Sequence, residues 1–183
     1  HTMHAQAYKQ RKLRNKCLWF MMKSNENQAL SLCQAQFNQS HTMTDQIASL
    51  SLLANAYDSD ARHHALSTFY QQWQNDELVL DKWFALQAAC ELPGTLTTVQ
   101  KLLTHPDFNF INPNKVRSLI GVFCFANHRH FHAKNGSGYA FLTDILLKLD
   151  AYNPQVAARL ATPFTRWQRL DEGRQNLIQQ ELE

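Results

Sequence analysis

The sequence predicts an all-α protein, and three observations carry that reading. Leu, Ala, Gln and Lys are plentiful across the 183 residues, whereas strictly alternating runs of Val, Ile and Thr are missing. Only five glycines and five prolines punctuate the chain, too few for a fold of many short strands joined by tight turns. Apolar residues recur instead at three- and four-residue spacing in one segment after another, and each segment ends at a chemically marked break. A chain of this length buries a core without disulfide or metal staples and predicts one compact unit. The formal net charge of +3 demands neither an acidic nor a basic partner.

The elements follow from their stripes. Lys9, Arg11, Lys12, Arg14 and Lys16 crowd the first helix; Leu13, Cys17 and Phe20 supply its expected buried stripe, with the cations on the solvent side. Acidic residues elsewhere nearly balance that charge, so the helix calls for neither nucleic acid nor an anionic membrane. Leu30, Cys33 and Phe37 then share one face, as do Ile47, Leu50, Ala54 and Tyr57, and next Ala65, Leu66, Phe69, Tyr70 and Trp73. Leu80, Trp83, Phe84 and Gln87 mark another helix, Val99, Leu102 and Leu103 a shorter one, and Tyr139, Leu142, Ile145, Leu146 and Leu149 a strongly periodic one. Breaks fall at Asp58-Ser59-Asp60, Pro93-Gly94, His105-Pro106-Asp107, Asn135-Gly136-Ser137-Gly138, Asn153-Pro154, Thr162-Pro163 and Asp171. About ten helices result from this pattern. Short links between helices of a few turns predict antiparallel pairs, stacked either as a plain bundle or in series as an α-solenoid.

Sites of chemistry are sparse. Cys17, Cys33, Cys90 and Cys124 lie far apart, mostly within apolar stripes, and read as reduced core thiols; without a C-x-x-C pair they suggest neither zinc nor redox chemistry and fit a cytoplasmic protein. A self-contained hydrolase with Cys124 or Cys90 as nucleophile and a nearby histidine as base is a poor reading, because Cys124, between Phe123 and Phe125, reads as buried, where a thiol stays protonated and inert. His128, His130 and His132 would share one side of an extended strand, but no acidic or cysteine residue lies near in sequence to complete a metal site. His63-His64 reads as exposed helix. The glycines of Asn135-Gly136-Ser137-Gly138 lack the Lys-Ser/Thr pair of a phosphate loop and read as a tight turn needing left-handed backbone angles. No apolar run is long enough to span a bilayer. Residues 1–3 read as an appended remnant, which leaves 4–183 as a single helical domain.

One run is more specific than helix chemistry requires. In Asn112-Pro113-Asn114-Lys115-Val116-Arg117-Ser118-Leu119-Ile120-Gly121, Asn112 suits an N-cap, Pro113 the first helical position, and Val116, Leu119 and Ile120 an apolar stripe. The string itself, with Asn135-Gly136-Ser137-Gly138-Tyr139 and Asn153-Pro154-Gln155-Val156-Ala157-Ala158-Arg159-Leu160, closely resembles the C-terminal domain of the bacterial aminopeptidase N family, zinc-dependent alanyl aminopeptidases of the gluzincin class. Leu13-Arg14-Asn15-Lys16-Cys17-Leu18, Met43-Thr44-Asp45 with Ala48-Ser49-Leu50, and Leu78-Val79-Leu80-Asp81-Lys82-Trp83-Phe84 with Leu86-Gln87-Ala88 extend the likeness over nearly the whole chain.

The resemblance favours the solenoid, a superhelical HEAT- or armadillo-like stack of antiparallel helix pairs. It implies a parent enzyme that removes N-terminal residues from peptides with a zinc-activated water. The family's H-E-x-x-H helix and G-x-M-E-N loop do not occur in these 183 residues, and no histidine is followed by glutamate. The expectation is therefore a non-catalytic domain without cofactor, whose zinc lies elsewhere in the parent. It would pack on the catalytic domain of the same polypeptide, roof the active-site chamber and restrict peptide access; the rival class is an independent helical-repeat interaction module. Arg117 and Arg159, each in a family-like motif, are the candidates for lining that chamber, with Tyr139 as a surface candidate beside them. A face covered in the parent would be exposed in this chain and would predict dimerisation.

Overall fold

The computed structural model describes residues 2–183, with side chains from residue 5 onward. Every regular element among the described residues is helical, and no strand occurs among them. Where length predicts a single unit, the chain divides into two compact ones, His1–Trp83 and Phe84–Glu183. None of the described helices is long and apolar enough to cross a membrane.

The first unit holds α1 (Thr2–Ser24), α2 (Glu26–Gln39), α3 (Met43–Ala54), α4 (Ser59–Trp73) and the start of α5 (Glu77–Ala88). Short links force successive helices back on one another, and α1 packs on α2, α2 on α3 and α3 on α4. Side-chain caps fix three of the starts. Asn25, Thr42 and Asp58 accept hydrogen bonds from the amides of Gln28, Asp45 and Ala61, each stabilising its helix by about 1 kcal/mol. Most of the expected stripe residues lie inside: Cys33, Phe37, Leu50, Ala54, Ala65, Phe69, Leu80 and Trp83 are all buried. Tyr57 is corrected, being 77% exposed and lying beyond the end of α3. His63 and His64 are exposed on α4, as expected.

The stripe expected for α1 is corrected. Leu13 is 67% exposed, Phe20 58%, and Cys17 is exposed, whereas Leu18 and Met22 point into the unit. Helix α1 carries two apolar arcs, and a polar contact selects which one turns inward. The carboxylate of Asp45, only 4% exposed, accepts from the Arg14 guanidinium, from Asn15 Nδ2 at 3.1 Å and from Thr42 Oγ1 at 3.1 Å. Gln36 Nε2 donates to Asn15 Oδ1 at 2.8 Å and to the Asp45 carbonyl at 3.2 Å. Asn15 shares a face with Leu18 and Met22, so clamping it to α3 rolls Leu13 and Phe20 outward.

The second unit holds the rest of α5, then α6 (Thr95–Leu102), α7 (Pro113–Val116), α8 (Val122–Ala126), α9 (His128–Phe131), α10 (Ser137–Asp150), α11 (Pro154–Leu160) and α12 (Glu172–Leu182). A wide π-helical turn, Arg117–Gly121, fuses α7 to α8, and a 3₁₀ segment, Thr162–Arg169, leads into α12. Twelve α-helices thus stand among the described residues, against about ten expected from periodicity. His128–Phe131 is helical, which corrects the extended strand expected for the three histidines. Buried Asn127 ties this corner together. Its Nδ2 donates to the carbonyls of Ala88 and Cys90, both at 2.9 Å, and its Oδ1 accepts from the His130 amide at 3.2 Å.

The turn before α10 has the left-handed backbone expected of it, with Gly136 at φ +74°. Gly138 is needed for a different reason: a Cβ there would lie 2.2 Å from the Phe131 carbonyl oxygen. Gly138→Ala should therefore destabilise the protein by about 3 kcal/mol through overpacking. In the first unit, Asp45→Ala should cost about 2 kcal/mol, because Arg14, Asn15 and Thr42 lose their shared acceptor. Urea unfolding midpoints measure both, and a surface control such as Asn38→Ala, at an exposed position of α2, should leave the midpoint in place.

Candidate functional site

The stretch that starts at Pro113 is buried on almost every side. Lys115, Val116, Ser118, Leu119, Ile120 and Gly121 are all buried, and Arg117 alone among residues 115–121 is exposed. Asn112 caps the helix by accepting from the Asn114 amide, and Pro113 occupies the first turn, as the sequence predicts. The wide turn is not legible in the sequence. Val122 N–H reaches back to the Arg117 carbonyl, and Asn127 N–H to that of Val122, each five residues earlier rather than four. Such turns insert one residue into a helix and are common at functional sites.

Helix α11 has the same kind of start. Asn153 accepts from the Val156 amide at 3.2 Å and Pro154 takes the first helical position. Its outer face meets the α7–α8 helix across an open groove of about 570 Å³. Val122, Phe125, Val156 and Leu160 give the groove an apolar floor, Pro113 and Asn153 stand at its edges, and Arg117 and Arg159 both line it. The two arginines singled out from separate motifs thus belong to one site.

Their settings differ. Arg117 folds back along its own helix, donating from Nε to the Pro113 carbonyl at 3.1 Å and from Nη2 to Asn114 Oδ1 at 2.9 Å. These contacts hold the guanidinium in place without neutralising it. Arg159 is exposed and its guanidinium makes no hydrogen bond among the described residues. Among the described residues no carboxylate lines the groove. Two cations above an apolar floor suit an anion with an apolar flank, such as a carboxylate attached to a side chain.

Tyr139 is corrected from a surface residue to a core one. It is fully buried, with its ring edge-on to Phe131, His132 and Phe164 and its hydroxyl 2.8 Å from His132 Nδ1. The tyrosine and glycines of Asn135-Gly136-Ser137-Gly138-Tyr139 pack α10 against α9. His132 also stacks on His128, with ring centroids 5.9 Å apart, while Arg174 Nε donates to the His132 carbonyl at 2.7 Å. Burial, then His128 and Arg174, push the His132 imidazole below its ordinary range.

The residues present do not fit a zinc site. No group of three His, Cys, Asp or Glu able to hold a metal occurs among the described residues. His132 Nδ1 is occupied by Tyr139, and His130 Nε2 lies 3.1 Å from the Glu91 carbonyl. The thiols are equally unsuited to chemistry. Burial pushes Cys33 up to about 12 and raises Cys124 as well, so both stay protonated at neutral pH. Cys17 departs from the expected pattern of core thiols, being exposed.

Consecutive packed helix pairs without strands, carrying a groove on their outer surface, define a helical-repeat domain of the armadillo kind. Residues 1–183 match the family described as "Domain of unknown function (DUF3458_C) ARM repeats", and the chain belongs to that family, which forms the C-terminal region of aminopeptidase N. It is similar to the aminopeptidase N of Haemophilus influenzae, with 46% identity over 173 residues, 94% of this chain and 20% of that protein. The aminopeptidases N of Escherichia coli (strain K12) and Caulobacter vibrioides are 42% and 38% identical, over 94% and 98% of this chain. Among solved structures, Legionella pneumophila aminopeptidase A in complex with aspartic acid superposes with a TM-score of 0.89 at 33% identity, covering 94% of this chain and 20% of that one. The chain therefore spans about a fifth of the length of the relatives it matches.

Two outcomes follow from the thiols and from His132. In the folded chain a maleimide should modify Cys17 rapidly and leave Cys33 and Cys124 untouched until denaturant is added, which mass spectrometry of labelled peptides resolves. The folded state also holds His132 below its unfolded value, so unfolding takes up a proton in between. The stability that depends on neutral His132 is complete above about pH 6.5 and is lost as pH falls through the lower folded value. Urea titrations at pH 7.5 and 5.5 should show that loss, and His132→Phe should shrink it.

Proposed function

We propose that this chain is the non-catalytic helical domain of a zinc-dependent aminopeptidase, packing on a catalytic domain of the same polypeptide and roofing its active-site chamber. The observation that carries the reading is the pairing of Arg117 and Arg159 in one groove that no carboxylate among the described residues lines. Two residues from separate motifs that resemble the aminopeptidase family converge on one surface, and their chemistry suits the free carboxylate and apolar side chains of a peptide. Exposed guanidiniums contribute little to folding, so two of them above Phe125 and Val156 are better explained by an external ligand than by internal pairing. The zinc and the groups that act on the peptide bond would lie in the parent protein outside these residues. By binding the far end of a peptide the groove would orient it and select by length, which raises the share of productive encounters. Four free thiols fit a cytoplasmic setting for that work.

The first test compares hydrolysis of an alanyl chromogenic substrate by the 183-residue chain and by the full-length gene product, each with zinc and with chelator. Activity confined to the full-length protein and abolished by chelation is the expected result; turnover by the chain alone would overturn the proposal. In the full-length enzyme, Arg117→Ala and Arg159→Ala should each raise KM for peptides with a free C-terminal carboxylate by about tenfold, the worth of one charge-assisted hydrogen bond. Single-residue chromogenic substrates, too short to reach the groove, should keep their KM. Equal effects on both substrate classes would assign the arginines to the fold.

A further inference from the structure

The start of the fused α7–α8 helix breaks two rules of helix composition at exposed positions. Asn114 stands inside the first turn, where asparagine is a poor helix former because its side chain competes for backbone groups. It is exposed, and the cap is already supplied by Asn112, whose Oδ1 accepts from the Asn114 amide at 2.9 Å. Arg117 places an exposed cation towards the end that the backbone dipole makes positive. The two side chains meet each other. Asn114 Oδ1 accepts from Arg117 Nη2 at 2.9 Å, and the Asn114 side chain makes no other hydrogen bond among the described residues.

That bond decides which edge of the guanidinium is on offer. Nε donates to the Pro113 carbonyl and Nη2 to Asn114, so the side edge of the fork is spent on its own helix. The N–H groups left over, on Nη1 and Nη2, form the end-on edge, which matches the two oxygens of a carboxylate. Arg159 lines the same groove without such a restraint. Gln155 follows Pro154 as Asn114 follows Pro113, yet it makes no hydrogen bond to Arg159 among the described residues, so the shared helix start does not itself demand the contact. We propose that Asn114 is a positioning residue of the groove: it holds Arg117 as a preset fork that takes a peptide's C-terminal carboxylate end-on, while Arg159 closes on the same anion from solvent. A preset fork has little rotamer freedom left to lose when the anion arrives, whereas a free arginine is ordered at that moment. Arg117 thus fixes the direction of the carboxylate, and Arg159 adds charge. This deepens the reading of the groove as a peptide-carboxylate site and rests on it.

The test measures KM and kcat of the full-length enzyme on one peptide series, supplied as free acids and as C-terminal amides. Asn114→Ala should raise KM for the free acids by about threefold at unchanged kcat, the cost of ordering one freed side chain on binding. KM for the amides should stay in place, since a neutral end gains little from a preset charge. Asn114→Asp still accepts from Nη2 but neutralises the guanidinium, and should raise KM for the free acids by about tenfold. In an Arg117→Ala background, Asn114→Ala should add nothing, because it acts only through that arginine. Alanine is the better helix former at this exposed position, so the urea midpoint of Asn114→Ala should not fall. An unchanged KM in both Asn114 variants, beside a raised one in Arg117→Ala, would overturn the positioning role alone. So would additive effects of the two alanines or a lowered midpoint, which would give Asn114 a contact of its own with peptide or a part in the fold. An unchanged KM for free acids in Arg117→Ala would remove the carboxylate site itself, and the role of Asn114 with it.

Discussion

The burial of a single helix from both flanks constrains everything around it in the second unit. From Lys115 to Gly121 the chain gives up every side chain to the interior except that of Arg117. A helix so enclosed needs neighbours all round it. The chain provides them, through Asn127 bonded to the end of α5 and through the edge-to-face contacts of Phe123 with Phe131 and Phe141. The one side chain that escapes, Arg117, carries its charge to solvent on a long apolar stem, whereas the Lys115 side chain stays inside. The position of the groove therefore follows from the core, because Arg117 has nowhere else to go.

Polar contacts settle what apolar pattern leaves open. In the first unit, α1 carries two apolar arcs, one with Leu13 and Phe20 and one with Leu18 and Met22, and buries the second. The Asp45 carboxylate, with Arg14, Asn15, Thr42 and Gln36 around it, makes the choice. Such a network is worth little as bulk stabilisation, since each bond replaces one to water, but it is expensive to leave half-made. That asymmetry lets a handful of hydrogen bonds fix the rotation of a 23-residue helix.

Much of this is legible in the sequence, for identifiable reasons. Asn112-Pro113 and Asn153-Pro154 read as helix starts because capping is local chemistry, and both are helix starts. The stripes through Cys33 and Phe37, Leu50 and Ala54, and Tyr139 through Leu149 stand out because one face of each helix is much more apolar than the rest. What stays hidden depends on partners distant along the chain. Leu13, Cys17 and Phe20 form as good a stripe as Leu18 and Met22, and only Asp45, thirty residues away from Asn15, separates them. Tyr139 lies in a motif with two glycines, which suggests a surface loop; Gly138 instead allows α10 to approach the Phe131 carbonyl closely enough to bury the ring. Arg117 and Arg159 can each be noticed within a motif, but their convergence is a property of packing.

The wide turn between α7 and α8 makes the groove a matter of counting as well as of chemistry. A regular helix advances about 100° per residue, and a π turn holds one residue more than its α-helical equivalent over the same rotation. Deleting one residue from Arg117–Gly121 would therefore let the backbone relax to ordinary four-residue bonding while Phe125 and Ala126 keep nearly the same direction relative to Pro113. The same deletion in the regular turn of α8 would rotate everything beyond it by about 100° and swing the floor of the groove away from the arginine at its rim. Changes of length in this stretch of the gene should therefore be absorbed in the wide turn and rejected on either side of it.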